Sequence, residues 1–436
     1  MAYRCADCGY ETAKWIGFCP QCRGGELTES TSVGAVPPSP AVSLSTVLDA
    51  SEVPYRSVGM PEVDRVLGGG LVPGSAILVG GEPGVGKSTL LLQMAGKLAR
   101  SLPVLYVSAE ESAPQVALRA NRIGAMADRL LVTSATDPRD IVGAVQQVGP
   151  GLVVVDSVQT IAAADVAGSA GGIAQIRECG SRLVAAARAN GVPIALIGHV
   201  TKEGRIAGPK LLEHVVDAVL VLEGDHDAGL RVLRSVKNRH GSVDRVGVFE
   251  MRETGLAAVS DPSAHLVGDW VGGVPGTVLF PAIHGVRPLL VEIQALVVPS
   301  TAPQPRRSVK GVDSARVHQI LAVLERHAGL GFRDHEVYVS AVGGVRISEP
   351  ASDLPIALAL ASSRTGTPVG RLAAFGEVGL TGELRPVGRA GVRRDEAHRL
   401  GIEHVANSSS PGDGLVAMLR NQGFLDVRAR SSPSAA

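Results

Sequence analysis

The sequence predicts an α/β fold built on a mainly parallel sheet, with a small metal-binding head before it and a second domain of α+β type after it. Three observations lead to this prediction. Apolar runs alternate with helix-like segments from about residue 57 to residue 259, four cysteines fall within the first 22 residues, and strands punctuated by glycine and proline follow Pro262. At 436 residues the chain is also longer than one compact core usually is.

The composition divides the chain into five segments. A four-cysteine head (1–28) precedes a linker (29–47) of Ser, Thr, Pro and Ala, which cannot form a periodic apolar face. The parallel-sheet domain is expected at 48–262 and the second domain at 263–427. The tail, 428–436, is expected to be disordered because it is short and polar.

The balance of charged residues indicates that the protein as a whole does not attract nucleic acids or anionic membranes. Lys and Arg total 42, as do Asp and Glu, so any contact with nucleic acid must be local. The N-terminus lacks the apolar segment of a secretion signal, and no run approaches the roughly 20 apolar residues of a membrane span. We therefore expect a cytoplasmic protein without membrane contact.

The cysteine spacing in the head predicts a structural Zn²⁺ site. The spacing is C-x2-C-x10-C-x2-C, formed by Cys5, Cys8, Cys19 and Cys22. Two such pairs of thiolates close a tetrahedron around zinc and leave no position open for a substrate, so the site is not catalytic. Cys179 stands alone in a helical pattern and is expected in the core.

A glycine-rich loop follows the first apolar strand of the parallel-sheet domain. It satisfies G-x4-G-K-[ST], with the strand AILVG before it and the helix-like TLLLQMAGKLA after it. In such a loop the backbone N–H groups wrap the phosphates of ATP, while Lys87 reaches the β and γ oxygens and Ser88 binds Mg²⁺. The residues expected to contact the nucleotide are Gly81, Glu82, Pro83, Gly84, Val85, Gly86, Lys87, Ser88 and Thr89.

Carboxylates at the ends of two further strands complete the expected nucleotide site. Asp156 ends the strand LVVVD, where it is suited to hold Mg²⁺ through water. Glu110 and Glu111 follow the strand VLYVS, and one of them is expected to polarise the attacking water. Their spacing does not choose between them.

The run GMPEVDRVLGGGLVPGSAILVGGEPGVGKSTLLLQMA, with YVSAEES, VVVDSVQT and KNRHG, resembles the RadA (Sms) family of bacterial DNA repair proteins over nearly the whole chain. The resemblance implies a RecA-like ATPase core similar to replicative hexameric helicases. It also implies a homo-hexamer that moves along single-stranded DNA, drives branch migration of branched DNA and works with a RecA-type recombinase. Within the motif SAEE it assigns the catalytic role to Glu110, with Glu111 as the runner-up.

The family signature Lys-Asn-Arg-Phe-Gly stands here with His240 in place of the aromatic residue. The resemblance implies that Lys237 and Arg239 reach the γ-phosphate of a neighbouring subunit and stabilise charge in the transition state. A solvated basic turn is the simpler alternative.

Two loops are candidates for DNA contact. The segment HVTKEGRIAGPK carries Lys202, Arg205 and Lys210 among glycines, and His199 stands where a γ-phosphate sensor is expected. The loop ADVAGSAGGIAQIR is small and flexible, with Arg177 at its exit. Neither loop contains an aromatic residue, so base stacking is not predicted there.

The second domain resembles the proteolytic domain of Lon, through VGGVRISEPASDLPIALALAS and GEVGLTGELRPVGRAGVRRDEAHRLGI. Aligned on these landmarks, the family's serine falls at Ala351 and its lysine at Gly391, although Ser348 and Ser352 are close. We therefore expect a structural or ring-forming domain without peptidase activity. The basic residues that either line a DNA track or form an ordinary solvated face are Arg306, Arg307, Lys310, Arg393 and Arg394.

Two other functions compete with the DNA motor. The Lon-like domain suggests an ATP-dependent protease, which the missing dyad contradicts. A non-motor protein in which nucleotide controls a zinc-headed binding or signalling module is the remaining alternative.

Overall fold

The computed structural model describes residues 2–5, 8, 10–12, 15–23, 27–30, 54–198, 212–224, 229–268, 270, 272–408 and 414–425. Most of the predicted linker and the whole predicted tail lie outside these residues. The chain forms two compact units, Met1–Val53 and Pro54–Ala436. The predicted head lies in the first unit, and both larger predicted domains share the second.

The head contains a small antiparallel sheet with the strand order β2-β1-β3. In it Tyr3 pairs with Thr12 on one side and with Glu29 on the other. The three strands are β1 (Ala2–Cys5), β2 (Glu11–Thr12) and β3 (Leu27–Ser30).

A nine-stranded sheet forms the centre of the second unit, in the order β12-β11-β10-β9-β4-β8-β7-β5-β6. The strands are β4 (Ala76–Gly81), β5 (Val104–Ser108), β6 (Leu130–Thr133), β7 (Leu152–Asp156), β8 (Ile194–Ile197), β9 (Ala218–Glu223), β10 (Leu230–Asn238), β11 (Val246–Arg252) and β12 (Gly255–Ala258). The six strands from β9 to β6 are parallel, and β10 to β12 extend the sheet antiparallel. The mainly parallel sheet predicted from the apolar runs is therefore confirmed.

Helices cover both faces of this sheet, which explains why β4, β5, β7 and β8 are buried along their whole length. The helices are α1 (Pro61–Leu67), α2 (Lys87–Leu98), α3 (Ala113–Arg122), α4 (Pro138–Val148) and α5 (Ile173–Ala189). Neighbouring residues of β4 serve opposite faces: Ile77 belongs to the apolar cluster of α1 to α3, and Leu78 to that of α4 and α5. Cys179 on α5 is fully buried in the second cluster, as predicted for a core residue.

The second domain is built on a mixed six-stranded sheet, in the order β15-β16-β14-β13-β17-β20. Its strands are β13 (Thr277–His284), β14 (Arg287–Pro299), β15 (Arg307–Lys310), β16 (His335–Ala341), β17 (Leu372–Phe375) and β20 (His404–Asn407), with a separate pair β18 (Glu377–Val378) and β19 (Leu384–Arg385). Its helices are α6 (Pro262–Val267), α7 (Ser314–Ala328), α8 (Asp353–Thr365), α9 (Ala390–Arg399) and α10 (Leu415–Asn421). The α8 helix is buried from Asp353 to Ser362 and forms the centre of this core.

A buried ion pair joins the two sheets of the second unit. The Arg287 guanidinium at the start of β14 lies 2.6 Å from a carboxylate oxygen of Glu62 on α1, which is only 2% exposed. The same oxygen accepts the backbone N–H of Val248, and Arg287 also donates to the carbonyl of Ser260. Because a buried carboxylate needs such partners, these contacts fix where the second domain meets the first sheet.

Among the described residues, every helix is too short or too polar to cross a membrane.

Candidate functional site

The glycine-rich loop lies between β4 and α2, at the carboxyl edge of the parallel strands. A Cβ atom on Gly81 would lie 2.5 Å from the carbonyl oxygen of Leu222, so only glycine allows β4 to approach β9 this closely. Gly86 has a φ of 113°, and the first turn of α2 begins directly after it at Lys87. The loop therefore aims the free N–H groups of a helix N-terminus at the space in front of the sheet, as phosphate binding requires.

Lys87 is buried at the base of this loop, with 4% of its surface exposed. Its ammonium donates to the carbonyls of Gly81 and Glu82, at 3.0 Å each. Burial lowers the pKa of Lys87, and the charges of Asp156 and Glu110 oppose that shift. The structure thus brings together the lysine and two of the carboxylates that the sequence predicted for the site.

Asp156 ends β7 and is 6% exposed. Its Oδ2 atom accepts a hydrogen bond of 2.6 Å from the Tyr106 hydroxyl and one of 3.4 Å from Arg119. The parallel register places Ser108, the last residue of β5, beside Asp156, so the residues that follow β5 meet the end of β7. This register explains why Glu110 lies near Asp156.

The two candidate glutamates face different partners. Glu110 accepts a hydrogen bond from the Ser157 hydroxyl, on the side of Lys87 and Asp156. Glu111 accepts one of 3.1 Å from Arg119 on α3. An ion pair with Arg119 therefore holds Glu111, whereas Glu110 lies on the side of Lys87.

The donor set fits a magnesium-bound nucleoside triphosphate. The loop amides and Lys87 supply positive charge for the phosphates, the half-buried Ser88 lies in the first turn of α2, and Asp156 supplies a carboxylate. Hard oxygen ligands of this kind, together with phosphate, are those that Mg²⁺ prefers.

The basic pair of the KNRHG signature lies at the opposite edge of the sheet. Lys237 donates to the carbonyls of Glu213 and Val216, and Arg239 pairs with Asp217 at 3.3 Å. Asp217 in turn accepts the backbone N–H of Ala76, the first residue of β4. The strand β4 has six residues, so the glycine-rich loop at its other end lies roughly 17 Å from Ala76. The structure therefore does not bring Lys237 and Arg239 to the glycine-rich loop of the same chain.

His240 is packed against the body of the domain. Its backbone carbonyl accepts the hydroxyl hydrogen of Tyr55 at 2.7 Å, and its Nε2 atom is buried without a hydrogen-bond partner among the described residues.

Three of the four predicted DNA-contact residues lie outside the described residues, namely Lys202, Arg205 and Lys210, and so does the predicted γ-phosphate sensor His199. Arg177 is described, and it lies exposed in the second turn of α5.

Three residues beside the nucleotide site were not predicted from the sequence: Tyr106, Arg119 and Arg231. Arg231 on β10 is 3% exposed, and its Nε donates to the carbonyl of Val85 inside the glycine-rich loop. The available signals were a tyrosine inside the strand VLYVS and an arginine inside the apolar strand LRVL. Each of these residues is also common in a strand at the edge of a sheet, so the sequence does not show that its side chain contacts the nucleotide site.

The four cysteine sulfurs of the head lie within 4.8 Å of one another. Cys5 and Cys22 are 3.6 Å apart, and Cys8 and Cys19 are 3.5 Å apart. Zn–S bonds of about 2.3 Å in a tetrahedron place sulfurs about 3.8 Å apart, so this arrangement fits zinc. The residues form a closed zinc ribbon, as the spacing predicted.

Replacing Cys19 with serine is expected to abolish stoichiometric zinc binding, because three ligands cannot close the tetrahedron and metal binding supplies the folding free energy of so small a segment. Cys179→Ser is the matched control, since that thiol lies in the second unit and is distant in sequence from the ribbon. The measurement is zinc released per chain, determined colorimetrically after denaturation. Retention of zinc by Cys19→Ser would contradict the assignment.

One basic residue predicted for the surface of the second domain lies in its core, so that prediction was wrong. Arg393 is 4% exposed, donates to Glu349 and to the carbonyl of Pro281, and lies 5.8 Å from the ring centroids of Phe280 and Phe375. Because a buried guanidinium requires a compensating carboxylate, Arg393 is not available for DNA. Of the other four, Arg307 is half-buried, and the exposed ones are Arg306, Lys310 and Arg394.

The region of the expected Lon-type dyad contains structural contacts. Ala351 is buried, and Gly391 lies in the first turn of α9. Ser352 is also buried, and its hydroxyl donates to the carbonyl of Glu349 at 2.8 Å.

Two protein families match parts of the chain. The AAA domain matches residues 44–205, and the rubredoxin metal binding domain matches residues 3–24. These matches identify an ATPase domain and a zinc ribbon, and they agree with the RecA-like fold predicted for the parallel sheet. The Lon-like assignment of the second domain stays a prediction.

Several relatives and solved structures also resemble this chain. Proteins named DNA repair protein RadA match at 44% identity from Halalkalibacterium halodurans (92% of this chain, 91% of the relative), Bacillus subtilis (94% and 93%) and Pseudomonas aeruginosa (98% and 98%). A KaiC-like protein, PH0186 from Pyrococcus horikoshii, matches with a TM-score of 0.41 and 21% identity, over 48% of this chain and 99% of that one. The ATPase domain of G40P matches with a TM-score of 0.43 and 15% identity, over 50% and 96%. Since the RadA relatives are this similar over nearly their whole length, the chain belongs to the RadA family of DNA repair proteins.

Proposed function

We propose that the chain is a DNA-stimulated ATPase that assembles into a homo-hexameric ring, moves along single-stranded DNA and drives branch migration of recombination intermediates. The observation that carries this proposal is the distance, within one chain, between the phosphate-binding loop and the basic pair that is expected to act on the same nucleotide. The phosphate-binding loop lies at one edge of the central sheet, and the basic pair Lys237 and Arg239 lies at the other. A site that contains both halves requires two subunits.

Within one chain, the residues around the loop bind and orient the nucleotide. Lys87 exchanges its contacts with the Gly81 and Glu82 carbonyls for phosphate oxygens, and Asp156 orients the hydrated metal ion. Mg²⁺, when bound there, would neutralise negative charge on the phosphates. Glu110 then orients the attacking water and accepts its proton.

The neighbouring subunit supplies the remaining positive charge. Arg239 is half-exposed and pairs with Asp217 inside its own chain, so it can exchange that partner for a phosphate oxygen across an interface. Lys237 is held closer to the sheet by two carbonyls. Charge supplied in this way couples hydrolysis in one subunit to the position of the next.

DNA contact is proposed for the segment 199–210, which follows β8 in the sequence, and for the start of α5. Lys202, Arg205, Lys210 and Arg177 are proposed to grip the phosphate backbone, because the chain as a whole has no net charge to attract DNA. A RecA-type recombinase completes the proposed assembly. The zinc ribbon exposes Trp15 and Phe18, which are 64% and 61% accessible.

Peptidase activity is not proposed. The chain has only one lysine after residue 262, Lys310 on β15, whereas the expected base position lies on α9. Arginine stays protonated and cannot replace it as a base.

Hydrolysis of ATP is expected to rise more than about twofold when single-stranded DNA is added at low salt, and this stimulation is expected to fall as salt increases, since phosphate contacts release counterions. The measurement is the steady-state rate of phosphate release against DNA and salt concentration. The variant Lys202→Ala/Arg205→Ala is expected to lose the stimulation, and Arg333→Ala, an exposed residue of the second domain paired with Glu325, is the control. Equal rates with and without DNA would favour the non-motor alternative.

A further inference from the structure

A polar cluster surrounds Asp156, and the proposed hydrolytic mechanism uses none of its other members. Its members are Tyr106 on β5, Arg119 on α3, Asp156 on β7 and Glu111 between β5 and α3. Four hydrogen bonds connect these side chains in the order Glu111, Arg119, Tyr106 and Asp156. The cluster therefore connects the metal-side carboxylate with the helix α3.

Tyr106 is fully buried, and its hydroxyl lies 2.6 Å from Oδ2 of Asp156. Burial raises the pKa of Tyr106 well above its usual value, and the neighbouring charge of Asp156 adds to the shift. At this distance the hydroxyl donates a hydrogen bond to the carboxylate. Hydrogen bonds to a charged acceptor are about twice as strong as neutral ones, so this contact holds the oxygen in place.

Arg119 contacts each of the other three members of the cluster. Its Nη2 atom lies 3.3 Å from the Tyr106 hydroxyl and 3.4 Å from Oδ2 of Asp156, while its Nη1 atom donates to Glu111 at 3.1 Å. All of the described contacts to Asp156 from this cluster end on Oδ2. None of these contacts involves Oδ1.

We propose that Tyr106 and Arg119 are positioning residues for the metal-bound nucleotide: they anchor one oxygen of Asp156 so that the other faces the hydrated Mg²⁺, and Arg119 keeps Glu111 away from the attacking water. This inference rests on the proposed role of Asp156 as the carboxylate of the magnesium site. A carboxylate with one oxygen fixed loses little rotational freedom when the metal binds. Without the anchor, part of the binding free energy would be spent on orienting it.

The inference is tested by the affinity of Mn²⁺ for the protein–ADP complex, measured through the electron paramagnetic resonance signal of free Mn²⁺. Tyr106→Phe removes only the hydroxyl and is expected to weaken Mn²⁺ binding about tenfold, in line with the loss of a hydrogen bond to a charged group. Arg119→Gln is expected to act in the same direction, with partial recovery in Arg119→Lys. Binding of ADP in the absence of a divalent ion is expected to stay at the parent level in Tyr106→Phe.

Arg122→Gln is the matched control, because Arg122 lies on the same helix, is exposed and is not in the cluster. If both Tyr106→Phe and Arg119→Gln bind Mn²⁺ as tightly as the parent does, the positioning role is wrong. Should Tyr106→Phe fail to fold, the two Arg119 variants decide alone.

Asp156→Asn separates failure of this inference from failure of the proposed function. Weaker Mn²⁺ binding in Asp156→Asn, with parent affinity in the Tyr106 and Arg119 variants, would overturn only the positioning role. Parent affinity in Asp156→Asn would overturn the assignment of the magnesium site, and the inference with it.

Discussion

Replacing Glu110 with glutamine is expected to lower the rate of ATP hydrolysis by roughly two to three orders of magnitude, because general base catalysis contributes on that scale and an amide cannot accept the proton. Nucleotide binding is expected to persist, since Lys87 and the loop amides remain. The measurement is single-turnover hydrolysis with enzyme in excess, which separates the chemical step from product release.

Glu111→Gln is the internal comparison for this prediction. Its carboxylate pairs with Arg119 rather than facing Ser157 and Lys87, so the variant is expected to keep most of the parent rate. A slow Glu111→Gln enzyme beside a fast Glu110→Gln enzyme would reverse the assignment, and equal losses would indicate a shared role.

Mixing subunits that carry Arg239→Ala with subunits that carry Lys87→Ala is expected to restore hydrolysis that neither variant shows alone. Removal of a trans arginine typically costs three to five orders of magnitude in rate, and Lys87→Ala removes the phosphate contact in cis. In a random equal mixture about a quarter of the interfaces pair an intact loop with an intact Arg239, as head-to-tail ring geometry requires. The measurement is the hydrolysis rate after the two purified variants are mixed and allowed to exchange subunits.

The control mixture combines Lys87→Ala with Glu110→Gln. Both residues belong to the loop side of the site, so every interface in this mixture keeps one defect and no recovery is expected. If the Arg239 mixture also fails to recover while subunit exchange is demonstrated with labelled chains, the sites are complete within one chain. Such a result would remove the main support for a ring.

The contiguous motifs are recognisable in the amino-acid sequence alone. The glycine-rich loop, the strand that ends in Asp156 and the paired cysteines depend on residues close together in the sequence, and the structure places all three as expected. The backbone geometry of a phosphate loop or a zinc knuckle is set by glycines and ligands at fixed short spacings, so local sequence is sufficient.

The role of individual charged residues was much less predictable. Arg393 was expected on a surface and is instead paired with Glu349, 44 residues away. Arg287 finds Glu62 across 225 residues and joins two sheets that the sequence treats as separate domains. The presence of an arginine in the sequence does not show whether its guanidinium contacts water, a phosphate or a buried carboxylate.

The amino-acid sequence by itself determined the parallel-sheet class of the ATPase domain, the glycine-rich loop, the four-cysteine head and membership of the RadA family. Only the tertiary structure decided that the basic pair lies at the far edge of the sheet from its own loop, and that Tyr106 and Arg119 meet Asp156. The physical reason is that these relations follow from strand order and register, which depend on how distant apolar segments pack together. The spacing between neighbouring residues carries no record of that packing.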